Sequence, residues 1–206
     1  LNTVVPGLKK LGRVVLEPGV LVKVEKTPLE PKLYLDRLRG KLLAGLEFHY
    51  EHVVIDPFNE ATQLNNGHIG RDFEQERDIM RMLEESGFTQ TDGGYFMQNE
   101  ELEYTFLYNR LSELQPRVQV FATTVVRNRL VKKDHFPKIS VRVRKERTNW
   151  LEFQFKMDGV SDEQVKEILQ ALEMKQKYYR LPNESLLSLE TKEMEEIRRF
   201  LLAGPV

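Results

Sequence analysis

The sequence predicts an α+β fold, in which small antiparallel sheets and β-hairpins pack with about five helices. Between positions 139 and 157, apolar and polar residues alternate with the period of two that a half-buried strand requires. At 79–83, 102–114, 165–172 and 194–201, apolar residues recur every three or four positions, as they do on one face of a helix. Turn and cap residues separate these patterns, so a mixed fold class is expected.

The composition indicates a folded globular chain. Of its 206 residues, 40% are hydrophobic and 31% are charged, which is enough to bury a core without disulfides. There are no cysteines, which excludes thiolate metal sites and favours a reducing compartment, so a cytoplasmic location is expected. The net charge of −1 does not steer the chain toward nucleic acid or anionic lipid. No apolar run approaches the roughly 20 residues of a bilayer span, so no membrane partner is expected.

The chain divides into three predicted segments, which form either one composite domain or two. Residues 1–62 are rich in strand formers, residues 63–136 are mainly helical, and residues 137–206 alternate hairpin, helix, hairpin and helix. The start at Leu1 without a methionine, and the end on Gly204-Pro205 directly after a helical pattern, predict a piece of a longer protein.

The first segment is expected to form a small antiparallel sheet. Pro18-Gly19 and Arg39-Gly40-Lys41 are predicted turns. Around them, short strands are predicted at 14–16, 20–22, 33–35, 46–50 and 53–55.

The second segment carries two predicted helices. The first begins after Asp72 and ends at Gly87, where a left-handed cap is expected. The second has Asn99 as its N-cap and Pro116 as its stop, and Gly93-Gly94 links the two. A short strand at 118–121 is followed by a short helix, which Thr123 or Thr124 caps and which carries Val126 and Leu130.

The third segment has the strongest patterns. Strands at 139–143 and 151–157 are predicted to form a hairpin across the polar residues 145–149. Ser161-Asp162-Glu163-Gln164 is a capping-box signature for the helix that follows. A second hairpin at 178–189 and a final helix at 194–201 complete the segment.

The sequence contains no recognisable catalytic, cofactor or metal site. The four histidines, His49, His52, His68 and His135, lack the spacing of zinc ligands on a helix. Gly40-Lys41 has neither the second glycine nor the hydroxyl of a phosphate-binding loop. A free-standing hydrolase is the least supported interpretation, because no nucleophile–base pair is visible. We therefore expect no catalytic residue, no cofactor and no metal ion in this chain.

One local charge cluster differs from the neutral background. Between positions 127 and 147 there are nine basic and two acidic residues, which gives a local net charge of +7. If Ile139, Val141 and Val143 face inward, Arg142 and Arg144 share the outer face, where contact with DNA phosphates or with the motor of a larger protein is predicted. A solvated strand face that prevents edge-to-edge aggregation is the alternative. The basic residues, called the basic segment below, are Arg127, Arg129, Lys132, Lys133, Lys138, Arg142, Arg144, Lys145 and Arg147.

Core and turn residues form a distinctive series of short stretches over most of the chain. These stretches are Leu33–Asp36, Leu46–Tyr50, Val54–Pro57, Arg71-Asp72, Gly87-Phe88, Gly159–Glu163, Lys177–Leu181 and Ser185–Leu189. Together they resemble the bacterial Swi/Snf helicase-associated region. Asn183-Glu184 replaces the turn glycines that are typical of that family, which leaves the turn type open.

The resemblance implies a position next to a motor. Regions of this family precede a motor of two RecA-like lobes, which hydrolyses ATP with magnesium and translocates on double-stranded DNA, and they often follow a small zinc-binding module. By this resemblance the chain is a non-catalytic accessory region. Its expected partners are the C-terminal motor of the same parent chain and, through the basic segment, double-stranded DNA. A purely structural spacer without nucleic-acid contact is the alternative.

Overall fold

The computed structural model describes residues 27–64, 69–131, 139–145 and 151–203, and within these ranges it leaves the side chains at 63, 64, 139, 141–145 and 151–154 undescribed. The predicted strands at 14–16 and 20–22, like His68 and His135, lie outside the described residues.

The described chain contains helices together with small, mainly antiparallel sheets, which confirms the predicted α+β class. The strands are β1 (Glu30–Leu38), β2 (Lys41–Tyr50), β3 (Val53–Ile55), β4 (Thr89–Thr91), β5 (Gly94–Met97), β6 (Gln119–Ala122), β7 (Ile139–Lys145), β8 (Leu151–Met157), β9 (Tyr178–Arg180) and β10 (Leu186–Ser188). The helices are α1 (Glu60–Leu64), α2 (Phe73–Glu85), α3 (Glu100–Thr105), α4 (Leu111–Leu114), α5 (Thr124–Arg127), α6 (Asp162–Glu173) and α7 (Lys192–Ala203).

The largest sheet has six strands and is mixed. Its order is β4-β5-β2-β1-β6, and β3 pairs with the last residues of β2. β1 and β2 form the predicted hairpin, in which Arg39 and Gly40 both have positive φ, as a two-residue turn requires. The strands of the first segment, β1 to β3, pair antiparallel as predicted, and β6 of the second segment adds to them parallel to β1.

One face of this sheet is buried under helices. Alternate residues of β1 and β2 point into a core that α2, the helical turns at 106–110 and α4 cover. The largest of these buried side chains are Leu33, Leu35, Leu42, Phe48, Tyr50, Ile55, Ile79, Leu83, Met97, Phe106 and Leu114.

Both predicted caps of the helical segment are present. At the end of α2, Gly87 has φ +96, its N–H donates to the carbonyl of Glu84, and the N–H of Phe88 donates to Leu83. This pair of bonds is the Schellman motif. Asn99 caps α3 by accepting the N–H of Leu102 at 3.0 Å. The helix then widens into a π-helical segment, Phe106–Arg110, before it ends as α4.

A buried polar cluster fixes the start of α2 against the end of β2. The Tyr50 hydroxyl donates to Glu76 Oε1 at 2.6 Å, and the N–H of Asp72 donates to the same hydroxyl. The Arg71 guanidinium contacts both oxygens of the Glu76 carboxylate, at 3.0 and 2.7 Å. Bidentate pairing compensates for the burial of Glu76, which is 5% exposed.

A short hairpin stands where only a link between helices was expected. β4 and β5 join at Asp92-Gly93, and β5 pairs with β2. Gly94 opens β5 with φ +146, and a Cβ at this position would lie 2.9 Å from the carbonyl oxygen of Ala44. Close approach of two backbones therefore requires a glycine here.

Residues after 150 form a second hydrophobic cluster. The capping box of α6 is present, because the Ser161 side chain accepts from Gln164 N and the Gln164 side chain accepts from Ser161 N. α6 and α7 pack together through residues that include Ile168, Leu172 and Met194. β7 pairs with β8, and β9 with β10, as the sequence predicts.

The first two predicted segments contribute to one sheet and one core. β1 to β3 come from the first segment, and β4 to β6 come from the second. The third segment contributes most of the second cluster. We call these the sheet unit and the C-terminal unit.

Candidate functional site

The two units meet at a junction built around residues 129–131. These residues follow α5 and run beside β10, where Leu130 and Leu186 form a parallel bridge. The N–H of Leu186 donates to the carbonyl of Arg129 at 2.7 Å, and the N–H of Val131 donates to the carbonyl of Leu186 at 3.1 Å. Leu130 was expected in the preceding helix, but α5 ends at Arg127. The backbone itself therefore connects the units.

The side chain of Arg129 lies at the centre of this junction and is 2% exposed. Its Nε donates to Glu103 Oε1 at 3.1 Å, and its Nη2 donates to Glu100 Oε2 at 2.7 Å. Its Nη1 donates to the backbone carbonyl of Glu184, in the turn between β9 and β10. One guanidinium thus connects α3 of the sheet unit with the hairpin of the C-terminal unit.

Glu103 holds a second arginine from the sheet. Its side chain is 3% exposed, and Oε1 accepts from Arg37 Nε at 2.9 Å as well as from Arg129. Glu100 also forms an ion pair with Arg180 near the surface, with 3.5 Å between its Oε2 and Arg180 Nη1. Charges taken out of water must be paired and hydrogen-bonded, and this group meets that requirement. The junction is therefore ordered by ionic hydrogen bonds with defined directions.

Stacked tyrosines extend the junction. Tyr104 is fully buried between the units; its hydroxyl contacts Ser188 Oγ and Glu190 Oε2, each at 2.8 Å. Its ring stacks on Tyr178 at 4.8 Å, and the Tyr178 hydroxyl donates to Glu100 Oε1 at 3.3 Å. Burial raises the pKa of Tyr104 well above its usual value and, with the nearby Glu100, raises the pKa of Tyr178 to about 12. Both hydroxyls stay protonated and remain donors at physiological pH.

The basic segment is not one continuous surface. Arg127 is exposed, whereas Arg129 is buried and paired with Glu100 and Glu103. The prediction that Arg129 contacts DNA was therefore wrong, because its guanidinium does not reach solvent. Arg142, Arg144 and Lys145 are on β7, whose side chains are not described there, and the remaining four, Lys132, Lys133, Lys138 and Arg147, lie outside the described residues.

The register of β7 and β8 places two of these arginines on a common face. Ser140 pairs with Lys156, Arg142 with Gln154, and Arg144 with Glu152. Ser140 and Lys156 are exposed, and alternate positions of a strand belong to one face. Arg142 and Arg144 therefore occupy backbone positions on the face of Ser140 and Lys156.

The whole chain matches a known family. The model described as bacterial SNF2 helicase associated matches residues 1–203. The chain belongs to this family. No curated protein and no solved structure matches it.

The family match confirms the resemblance seen in the sequence and gives the junction a context. In this SNF2-associated chain, the described residues include no group of three or more histidine, aspartate or glutamate side chains that could hold a metal ion. Among the same residues, no helix is both long and apolar enough to cross a membrane. The departure at Asn183-Glu184 is accommodated, because Glu184 takes the left-handed conformation, with φ +67.

Sequence reasoning missed the carboxylates of the junction. Glu100 and Glu103 were not singled out, because acidic residues are common in the first turn of a helix after an N-cap. One signal was available for Glu103, since it precedes Phe106 and Leu107 by three and four positions and so lies on the apolar face of the helix. A carboxylate at such a position needs a buried cation, and Arg129 supplies it.

Proposed function

We propose that this SNF2-associated chain is a non-catalytic module that holds the adjoining motor at a fixed position. The motor is the pair of RecA-like lobes of the parent chain, which would bind ATP and magnesium. The buried Arg129 junction is the observation that carries this proposal. If the chain were only a spacer, a flexible linker between the sheet unit and the C-terminal unit would be sufficient. Instead, the Arg129 guanidinium is removed from water to connect the two units, and its desolvation has a free-energy cost that a flexible linker would avoid.

The geometry of the junction supports rigidity. A planar guanidinium that donates in three directions, to Glu103, Glu100 and the Glu184 carbonyl, tolerates little rotation between the partners. The backbone bridge at Leu186 removes further freedom. Because this junction would hold the two units as one rigid body, a motor attached to that body would keep one orientation relative to the sheet unit.

The proposal predicts that weakening the hydrogen bonds of the junction reduces the stimulation of the motor's ATPase activity by DNA. In the full-length protein, Arg129→Lys keeps the positive charge but loses the planar guanidinium that donates hydrogen bonds in three directions. We expect the ATPase rate without DNA to stay within about twofold and the DNA-stimulated rate to fall several-fold, because positioning matters for the productive complex. Steady-state ATPase assays with and without duplex DNA measure both rates, and thermal unfolding shows whether the variant is folded.

The matched control is Arg110→Lys, on an exposed side chain outside the basic segment that donates to Glu113 Oε2 at 2.9 Å. This variant should behave as wild type. If Arg129→Lys is folded and its DNA stimulation is unchanged, the spacer interpretation replaces the positioning one.

A second function, contact with double-stranded DNA, is supported by the register of β7 and β8. We expect Arg142→Ala combined with Arg144→Ala to weaken DNA binding equally for different sequences. The slope of log affinity against log salt should fall by roughly one per lost phosphate contact. Affinity at two salt concentrations measures this. A control pair, Lys166→Ala with Lys192→Ala, removes two exposed cations from α6 and α7. Equal slopes for the two double variants would remove the DNA-contact proposal.

A further inference from the structure

The outer face of the six-stranded sheet carries two partly exposed aromatic rings in one row. Across the strands, Phe121 of β6 pairs with Tyr34 of β1, and Tyr34 pairs with Gly45 of β2. Tyr34 and Phe121 are 40% and 47% exposed, and their rings stack at 5.2 Å. The described helices of the sheet unit bury their apolar residues against the opposite face. Exposed, clustered aromatic rings are typical of surfaces that bind another protein.

The charged side chains of this face are nearly balanced in sign. Alternate positions of β1 and β2 share the face, and the ionisable ones are Glu30, Lys32, Asp36, Lys41, Glu47 and His49. Among the ion pairs of the described residues, Glu47 contacts His49 at 2.8 Å and none joins Glu47 to Lys32. A nucleic-acid surface needs an excess of positive charge, which this set does not have. A second copy of the same face offers both signs, so opposite charges can meet.

A lysine and an aspartate lie on the two sides of the aromatic row. Lys32 precedes Tyr34 by two positions and Asp36 follows it by two, so all three belong to the outer face of β1. If two copies face each other about a two-fold axis along the aromatic row, the two sides of the row exchange between copies. Lys32 of each copy then lies opposite Asp36 of the other, and the contact occurs twice.

A groove beside Asp36 has the size and the chemistry to receive that lysine. Its volume is about 450 Å³, and its lining includes Tyr34, Leu43 and Asp36. The Asp36 carboxylate is held in place, because its Oδ1 accepts from the Thr123 hydroxyl at 2.9 Å. A lysine side chain can lay its methylene groups along apolar surface while its ammonium reaches a charged partner. Lys32 of a second copy meets both conditions in this groove.

We infer that this face binds a second copy of the same chain, so that the protein forms a two-fold symmetric dimer through its sheets. The rings of Tyr34 and Phe121 pack at the axis, and Lys32 of each copy enters the groove at Asp36 of the other. Facing sheets cross at about 30°, so rows farther from the axis diverge and contribute less. Such a dimer would form whether or not the chain positions the motor.

Reversing the two charges tests the contact. Sedimentation velocity of the full-length protein over a range of concentrations measures the dissociation constant, and we expect the wild type to dimerise. Lys32→Glu and Asp36→Lys should each raise this constant about 100-fold, from about tenfold at each of two symmetric contacts. An equimolar mixture of the two variants should dimerise like wild type, because opposite charges face each other again. The control Lys166→Glu, which reverses an exposed lysine on α6, should leave the constant unchanged.

Recovery in the mixture separates a contact between copies from damage within one copy. Lys32→Glu also places two carboxylates across from each other, since position 32 pairs with Glu47, and this costs stability within the copy. A second protein does not remove that cost, so it cannot produce the recovery. A monomeric wild type, a dimer that neither reversal weakens, or a mixture no stronger than the single variants would each overturn the inference.

A photocrosslinker identifies what lies on the face. In the full-length protein, Phe121 is replaced by p-benzoylphenylalanine, and unlabelled and nitrogen-15-labelled protein are mixed before irradiation. Mass spectrometry should find crosslinks that join a labelled to an unlabelled chain, at peptides of β1 or β6. The same replacement at Met174, which is 73% exposed at the end of α6, should give none. Crosslinks only to residues 1–26 of the same copy, which lie outside the described residues, only to the motor or only to added DNA would contradict the dimer.

Discussion

Glu103→Leu is expected to lower the free energy of unfolding by about 3–5 kcal/mol, as breaking a buried ion pair does elsewhere. The substitution leaves Arg37 without its carboxylate and deprives Arg129 of one of its three partners. Leucine fits the helix and the apolar surroundings, so the loss arises from the uncompensated cations rather than from helix propensity. Urea unfolding followed by circular dichroism measures the change, with an unchanged slope confirming comparable unfolding.

An exposed acidic residue on the same helix gives the control. Glu101 occupies the same helix but is exposed, and it pairs with Lys177 on the surface. Exposed pairs contribute little, so Glu101→Leu should unfold close to wild type. Combining Glu103→Leu with Arg129→Met should cost less than the sum of the two single changes, because the second removes a charge that the first left unpaired. Equal losses for Glu101→Leu and Glu103→Leu would mean that burial does not set the strength of the junction.

Gly94→Ala is expected to cost about 3 kcal/mol of unfolding free energy, from backbone strain and a steric clash together. At φ +146 an alanine is strained, and its Cβ would come within 2.9 Å of the Ala44 carbonyl oxygen. That oxygen belongs to β2, the central strand, so relief requires β5 to move away from the sheet. Differential scanning calorimetry should show a lower Tm for the variant.

Gly93 provides a closely matched comparison. It precedes Gly94, is exposed, and an added Cβ would meet nothing within 4 Å. Gly93→Ala should therefore change the unfolding free energy by no more than about 0.5 kcal/mol. A similar loss for both variants would point to the turn itself rather than to the contact with β2.

The predictions of helix caps and turns that were confirmed depend on local sequence patterns. The capping box at Ser161, the Schellman motif at Gly87 and the Asn99 cap each depend on residues within about six positions of one another. The same is true of the turn at Arg39-Gly40, which fixes the register of β1 and β2. Short-range hydrogen bonds can be predicted from sequence because the donor and the acceptor both come from the same few neighbouring residues.

The failures concern distant or weakly patterned partners. β4 is Thr89-Gln90-Thr91, which is polar and exposed, so it has no apolar alternation to reveal it. The parallel pairing of β1 with β6 has no local signal, since many residues separate the two strands. Arg129 was assigned to a surface from the charges that surround it in sequence, whereas its real surroundings are carboxylates on α3. Sequence position could not distinguish a buried cation from a solvated one.

The parallel pairing of β1 with β6 also orders events during synthesis. β1 and β2 can form their hairpin as soon as both leave the ribosome, but the partner for the other edge of β1 emerges only when Gln119–Ala122 has been made. At roughly 5–20 residues per second, the ribosome leaves that edge unpaired for several seconds in each nascent chain. The exposed stretch, Lys32–Leu35, includes leucine and tyrosine side chains suited to intermolecular pairing. Slowing translation between the two strands should therefore increase aggregation of newly made protein, even when the finished fold is equally stable.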